Sequence, residues 1–501
     1  MTLISRVLGF VRDVVIARVF GASLAADVFF VAFKIPNLFR RLFAEGAFSQ
    51  AFVPVLAEYR EREGSASTAD LVGSTAGVLA VVLCGFTAIG VAAAPVFIMV
   101  FAPGFIGDAG KLELASALLR LTFPYLLFIS LAALAGAVLN TFGRFAVPAF
   151  TPVLLNVAMI GCAWLLAPHL AQPVMALAVG VLLGGIAQLA LQVAAVMRLG
   201  LGIRLRVAFA HQGVRRILAL MGPALFGVSV AQINLLLDTV IASFLETGSI
   251  SWLYYADRLV EFPLGVFGIA LATVILPALS SRHSEGSREA FSATLDWALR
   301  WVLLIGLPAA CGLGVLAMPL LSTLFEYGEL GARDVAMAGQ SLMAYAGGLL
   351  AFILVKVLAP GYFARQDTRT PVRIGIIAMC TNMVMNLIFV FPLAHAGLAL
   401  ATTLSACVNA GLLWRGLVRE GVYRPTAGWG WFLARVVIAA IAMSVLLAWW
   451  TAPAASWSAW NAGERAAALA AAIGLGGATY FLVLLALGLR PRDMSTRGGS
   501  V

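Results

Sequence analysis

The first two apolar stretches of the chain carry six cations, Arg6, Arg12, Arg18, Lys34, Arg40 and Arg41, against three carboxylates, Asp13, Asp27 and Glu45. A guanidinium is permanently charged, and its planar fork of N–H donors matches phosphate or carboxylate bidentately. A local surplus of three positive charges therefore suits an anionic ligand, whereas a carrier of cationic drugs or metal ions would need the opposite sign. A second charged group, Asp257, Arg258 and Glu261, falls within about one helical turn. Arg258 and Glu261 are i,i+3 neighbours, which allows a self-neutralising pair on one helix. Sealing that pair would still desolvate both groups, so a cavity lining is the stronger expectation.

Other chemistries find little to work with. The five cysteines, Cys84, Cys162, Cys311, Cys380 and Cys407, stand singly without a C-x-x-C pair, and the four histidines are isolated, which gives neither a disulfide framework nor a zinc site. No phosphate-binding glycine loop is present, so the chain is not expected to be an enzyme that hydrolyses ATP. An intramembrane enzyme acting on polyprenyl phosphates would need a carboxylate-rich cluster at one face, and the sequence offers none. Polar residues such as Asn140, Asn156, Gln188, Gln192, Asp238, Thr402 and Asn409 read individually as hydrogen bonds between helices. Asn382 and Asn386, at i,i+4 on one helix face, are the best candidates among these for a small cation.

Membrane helices must hold these residues. The chain has 501 residues, 62% hydrophobic and 11% charged, with a mean hydropathy of +0.99; a soluble domain carries about 25% charged residues. About 20 apolar residues cross a bilayer core. Fourteen such stretches are legible, at 3–21, 25–46, 71–101, 114–141, 147–167, 173–198, 216–245, 250–279, 296–325, 335–363, 372–393, 396–417, 430–451 and 464–488. They are too long and too uniformly apolar for a barrel, so the fold class is an all-α polytopic membrane protein. With the N-terminus in the cytoplasm, the inner connections and the tail carry nineteen arginines, from Arg60 to Arg497, and the outer ones only Lys111, Arg333 and Arg465. That bias predicts a multi-pass protein with both termini cytoplasmic. It also absorbs most of the formal net charge of +10, so no nucleic-acid partner is implied.

Depth then sorts the charges. Arg6 and Arg18 lie about 9 Å either side of Arg12 along a helix and can snorkel to an interface, which leaves Arg12, Asp13 and Lys34 deepest. An ion at mid-bilayer costs about 2.5–3.5 kcal/mol, so these are functional candidates. Arg6, Arg12 and Arg18 point about 120° apart, and the first helix should be surrounded by protein or cavity on most sides. Pro36 and Pro263 should loosen their helices. Phe48–Arg62 reads as a short interfacial amphipathic helix, and Gly180-x-x-x-Gly184 as close helix packing.

The chain also repeats itself at a displacement of roughly 221–225 residues. Asp13-Val-Val-Ile-Ala17 returns as Asp238-Thr-Val-Ile-Ala242, Phe52-Val-Pro54 as Ile275-Leu-Pro277, and Phe142-Gly-Arg144 as Phe363-Ala-Arg365. Pro95, Phe101 and Gly104 likewise match Pro319, Phe325 and Gly328. This predicts two six-helix lobes, 1–200 and 215–420, related by an axis along the membrane normal, then an added helix pair at 428–489 and a cytoplasmic tail at 490–501. Two-lobed helical proteins of this kind move solutes by rocking about a central cavity; a duplicated static scaffold is the alternative.

Three motifs, Ser5-Arg-Val-Leu-Gly-Phe-Val-Arg-Asp13, Ala25-Ala-Asp-Val-Phe-Phe-Val-Ala-Phe-Lys-Ile-Pro-Asn-Leu-Phe-Arg-Arg41 and Phe43-Ala-Glu-Gly-Ala-Phe-Ser-Gln-Ala-Phe-Val-Pro54, closely resemble the MurJ (MviN) family of lipid II flippases. The resemblance implies membership of the multidrug/oligosaccharidyl-lipid/polysaccharide exporter superfamily. It further implies passage of an undecaprenyl-pyrophosphate-linked peptidoglycan precursor from the inner to the outer leaflet of the bacterial cytoplasmic membrane. Arginines matching Arg6, Arg12, Arg40 and Arg258 are required cavity residues in that family, accompanied by acidic residues matching Asp27 and Glu261; Asp13 is expected to pair with the arginines too. The last two spans are expected to form a groove for the lipid tail. Lipid II, membrane lipids and the peptidoglycan-synthesis machinery are the implied partners. Some relatives bind sodium, and the corresponding positions look like Asp238, Asn382, Asn386 and Thr402, with neutral Asn386 where those relatives carry an acid. Export of another anionic polyprenyl-linked glycan is the alternative function, and membrane potential a plausible drive.

Overall fold

The computed structural model describes residues 2–42 and 48–489; Glu45, the 43–47 portion of the third motif and the 490–501 tail lie outside the described residues. All the longer regular elements described are helices. The first group is α1 (Thr2–Phe20), α2 (Leu24–Arg40), α3 (Phe48–Arg62), α4 (Gly64–Ala92), α5 (Ala94–Phe101), α6 (Ala109–Thr122), α7 (Tyr125–Thr141), α8 (Ala146–Gly161), α9 (Met175–Met197) and α10 (Gln212–Ala242). There follow α11 (Ser249–Pro263), α12 (Ile269–Ser284), α13 (Arg288–Val315), α14 (Ala317–Phe325), α15 (Ala332–Ala346), α16 (Leu349–Phe363), α17 (Arg369–Arg419), α18 (Trp429–Trp450), α19 (Ala454–Ala459) and α20 (Ala462–Ala486). Among the described residues, ten helical stretches are long and apolar enough to cross a bilayer. Two compact units divide between Ser251 and Trp252, inside the first turn of α11.

Local chemistry starts these helices where it should. Ser23, Asp108 and Ser287 accept from the backbone N–H three residues on, capping α2, α6 and α13. Asn461 and Glu464 form a reciprocal capping box on α20. The break between α4 and α5 falls at Ala93 (φ −92°, ψ 17°), and its counterpart between α13 and α14 at Leu316 has nearly the same dihedrals (φ −93°, ψ 17°). Pro263 ends α11 and is followed by a π turn at Leu264–Gly268, because its ring removes a donor and clashes with the preceding turn.

The 51-residue α17 contains one residue in the left-handed region, Ala394 (φ 47°, ψ −126°). Asn382 Nδ2 lies 3.3 Å from Thr402 Oγ1, whereas a straight helix would separate them by about 30 Å. The chain therefore reverses at Ala394, between the stretches read as 372–393 and 396–417. Gly397 makes the reversal possible, since a Cβ there would stand 2.2 Å from the carbonyl oxygen of Phe389.

Within the first unit, α3 has the bounds expected of it but a different setting. Phe48, Ala51, Phe52, Val55 and Leu56 form one helix face, buried against Leu71 of α4, Val138 of α7 and Ile217 of α10. An amphipathic pattern demands an apolar partner without saying which, and here protein supplies it in place of lipid. The Gly180/Gly184 pair packs α9 on α8 as expected, since a Cβ at either position would approach a Cα of α8 to 2.9 Å. In the second unit α18 and α20 bury Phe432, Val436, Leu447 and Tyr480 in a cluster with Leu304 of α13.

Candidate functional site

Arg12 sits mid-way along α1 with its side chain 13% exposed, beside Asp13 at 3%. Its Nε and Nη2 donate to Asp13 Oδ1 at 3.0 and 2.7 Å, and its Nη1 donates to Asn156 Oδ1 of α8 at 3.1 Å. Asn156 Nδ2 in turn donates to the carbonyl of Ser5 at 3.2 Å. The guanidinium is thus paired, oriented and held by a second helix, which is what a charge withdrawn from water requires. Such an arginine is a preorganised donor for an oxyanion, because its rotamer is fixed before the ligand arrives.

The other first-unit candidates are placed differently. Arg6 is exposed, and Arg18 lies 5.7 Å over the Trp164 ring, a cation–π contact at the opposite end of α1. Arg40 is half-buried, its Nε donating to Asn37 Oδ1 one turn back at 3.1 Å. Asp27 is buried and engages no arginine in its resolved bonds. Its Oδ2 accepts from Gly248 N at 2.6 Å, and its Oδ1 from Ser251 N at 2.8 Å and Ser251 Oγ at 2.6 Å. The carboxylate therefore caps the start of α11, where the helix dipole favours an anion. Lys34, singled out by depth alone, donates from Nζ to Thr239 Oγ1 of α10 at 2.5 Å.

In the second unit Arg258 Nη1 donates to Glu261 Oε2 at 2.6 Å, with side chains 29% and 48% exposed. The guanidinium also lies 4.8 Å over the Tyr254 ring. Tyr254, Asp257, Arg258 and Glu261 share one accessible face of α11, while Tyr255, Ala256, Leu259 and Val260 on the other face are buried. The intrahelical pair forms, and it is open on one side rather than sealed.

Of the positions matched to a sodium site, Asp238 is half-buried on α10 in the first unit, while Asn382, Asn386 and Thr402 lie in the second. Asn386 Nδ2 donates to Asn382 Oδ1 at 2.9 Å and Asn382 Nδ2 to Thr402 Oγ1 at 3.3 Å, a ladder that closes the α17 hairpin. Three neutral groups that bond one another fit a hard cation poorly, since such ions prefer charged oxygens.

Two charged hubs escaped the sequence reading. Asp296 of α13 accepts from Tyr423 OH at 2.9 Å, Thr426 Oγ1 at 2.9 Å, Trp429 Nε1 at 2.5 Å and Arg300 Nε at 2.9 Å. Burial and the neighbouring Asp296 carboxylate raise the Tyr423 phenol well above its ordinary range, so it stays a donor at any physiological pH. Arg465, expected in an outer connection, is 6% exposed and donates to the carbonyls of Trp460, Ser458, Ser322 and Glu326 at 2.9–3.0 Å. Those groups include orphan carbonyls at the end of α14. The two hubs fasten α18 and α20 to the rest of the second unit. Asp296 and Arg300 at i,i+4 were a visible signal for one; nothing in the sequence spacing announces the other.

A family model described as lipid II flippase MurJ matches residues 16–488. A probable lipid II flippase MurJ of Vibrio cholerae is 53% identical over 501 residues, covering 99% of this chain and 95% of that protein. The lipid II flippase MurJ of Burkholderia cenocepacia is 44% identical over 495 residues, covering 98% and 96%. Among solved structures, a lipid II flippase MurJ in an inward closed conformation superposes with a TM-score of 0.81 at 26% identity, covering 96% of both chains. An inward-facing multidrug resistance MATE family transporter of the MOP superfamily superposes with a TM-score of 0.70 at 14% identity, covering 84% of this chain and 95% of that one, a likeness of fold.

Proposed function

Since this chain belongs to the MurJ lipid II flippase family, we propose that it carries lipid II from the inner to the outer leaflet of the bacterial cytoplasmic membrane by alternating access. The observation that carries this reading is the family match along nearly the whole chain, joined to the ordered guanidinium of Arg12, held by Asp13 and by Asn156 of a second helix. Arg12, Arg40 and Arg258 bind the pyrophosphate, whose charge and geometry the guanidinium fork matches, and Arg6 supports them or closes the inner gate. Asp13 and Glu261 hold their arginines when no ligand is present and release them to it. Asp27 keeps the start of α11 in place. Transport draws no energy from ATP, and movement of charge through the membrane potential supplies the drive, at about 2.3 kcal/mol per elementary charge per 100 mV.

The same reading takes fourteen spans with both termini cytoplasmic. The α17 hairpin supplies two spans, and α1, α2 and α10 join the other apolar stretches. The paired breaks at Ala93 and Leu316 support two lobes built on one repeat, with α18 and α20 added. Charge reversal by Arg12→Glu or Arg258→Glu is expected to abolish complementation of a flippase-depleted strain at parental expression. Leaflet accessibility of labelled lipid II after acute inactivation is the direct assay; outward appearance at an unchanged rate would end this reading.

A further inference from the structure

The connection between α9 and α10 crosses one end of the first unit as an extended strap. Leu201 and Ile203 tuck against the cluster that holds α3. The strap then runs along a glycine groove of α4, so close that a Cβ at Gly73 or Gly77 would stand 2.0 or 2.1 Å from the carbonyl oxygens of Arg204 and Arg206. Arg206 N donates to Gly73 O at 3.2 Å, and the Arg206 and His211 side chains both reach Asp70. The backbone is thereby fixed, while Leu205, Val207 and Phe209 remain exposed, Leu205 at 74%.

Charge at this end leans positive: against the exposed Glu61 and Glu63 and the paired Glu58 and Asp70 stand eight arginines, Arg60, Arg62, Arg144, Arg198, Arg204, Arg206, Arg215 and Arg216. Glu58 is engaged by Arg62 and Arg216, and Asp70 by Arg206. Arg144, Arg198, Arg204 and Arg215 are exposed and make no side-chain hydrogen bond or ion pair among the described residues. Each has an exposed apolar companion: Phe145 beside Arg144, Met197 beside Arg198, Leu205 beside Arg204, and Leu218 one turn from Arg215. Cations without acidic partners, interleaved with exposed apolar groups on a fixed backbone, describe an interfacial anchor: the apolar groups enter the acyl boundary and the guanidinium groups meet headgroup phosphates.

We propose that this end of the first unit is a docking surface for the anionic phospholipids of the bilayer, with Leu205, Val207 and Phe209 set into the interface and Arg144, Arg198, Arg204 and Arg215 on lipid phosphates. The surface rests on the protein's membrane setting and is independent of what it transports. Native mass spectrometry of the detergent-purified full chain, titrated separately with phosphatidylglycerol, phosphatidylethanolamine and undecaprenyl pyrophosphate, tests the charge. The combined variant Arg144→Gln/Arg198→Gln/Arg204→Gln/Arg215→Gln should bind phosphatidylglycerol about tenfold more weakly or worse, with the other two lipids unchanged. Unaltered phosphatidylglycerol binding overturns the proposal, and so does an equal loss for undecaprenyl pyrophosphate, which would assign the surface to a substrate headgroup. A second arm keeps the arginines: a spin label on Leu205→Cys, in a cysteine-free background and in phosphatidylglycerol-containing nanodiscs, should collide with lipid-soluble oxygen in preference to an aqueous nickel complex. A label that meets only the aqueous complex overturns the proposal even if the arginine variant fails to fold.

Discussion

Arg12 in the first unit and Arg258 in the second place the same group beside a carboxylate of their own helix and are held in opposite ways. Arg12 is nearly enclosed, with its partners split between its own helix and Asn156, 144 positions away. Arg258 pairs within one turn with Glu261 and stays open on one face of α11. A buried charge needs its partner for the fold to stand, because losing the partner leaves an uncompensated ion in a medium that solvates it badly. An accessible pair is screened and contributes little to stability, so its residues are available for another purpose. The first arginine is therefore both framework and candidate ligand; the second can be removed with little structural cost.

That contrast can be broken experimentally. Arg12→Ala strands the Asp13 carboxylate and is expected to lower stability by about 3–5 kcal/mol, read as the thermal midpoint of the purified protein. An unchanged midpoint would place Arg12 in the same class as Arg258. Asn156→Ala removes the interhelical acceptor and is expected to cost about 1–3 kcal/mol, along with part of the complementing activity. Arg258→Ala is expected to stay within about 1 kcal/mol of the parent while losing complementation, so that stability and function separate at this position and not at Arg12. A large stability loss there would mean that the α11 face is packed rather than open. The smallest effect belongs to Glu261→Gln, whose stability should change by no more than about 0.5 kcal/mol, with a thermal midpoint slightly less sensitive to ionic strength than the parent's.

Asp27 and Arg465 show where sequence reasoning lost its grip on the site. The family resemblance set Asp27 beside the arginines, yet its resolved bonds all run to Gly248 and Ser251. Loop arithmetic counted Arg465 only as a connection charge, and its burial among helix-end carbonyls went unread. Backbone N–H and C=O groups carry no sequence signature, so a side chain that satisfies them cannot be recognised from residue types. The strap over Gly73 and Gly77 escaped for the same reason, since it is a backbone lying on a backbone.

Hydropathy period and length determined that the chain is built of long apolar helices and roughly where they run, because burying apolar surface is a property of each segment by itself, although α4 and α13 begin at Gly64 and Arg288, seven and eight residues before the stretches expected. Asn382 and Asn386 were legible as one face, and Gly180 with Gly184 as a packing site, because helical spacing fixes both. Only the tertiary structure decided which face of α3 met protein, that α17 turns back at Ala394, and that Arg12 is anchored by Asn156 whereas Arg258 stands open. Those outcomes depend on partners far apart in the chain, and no local pattern encodes which distant helix will arrive.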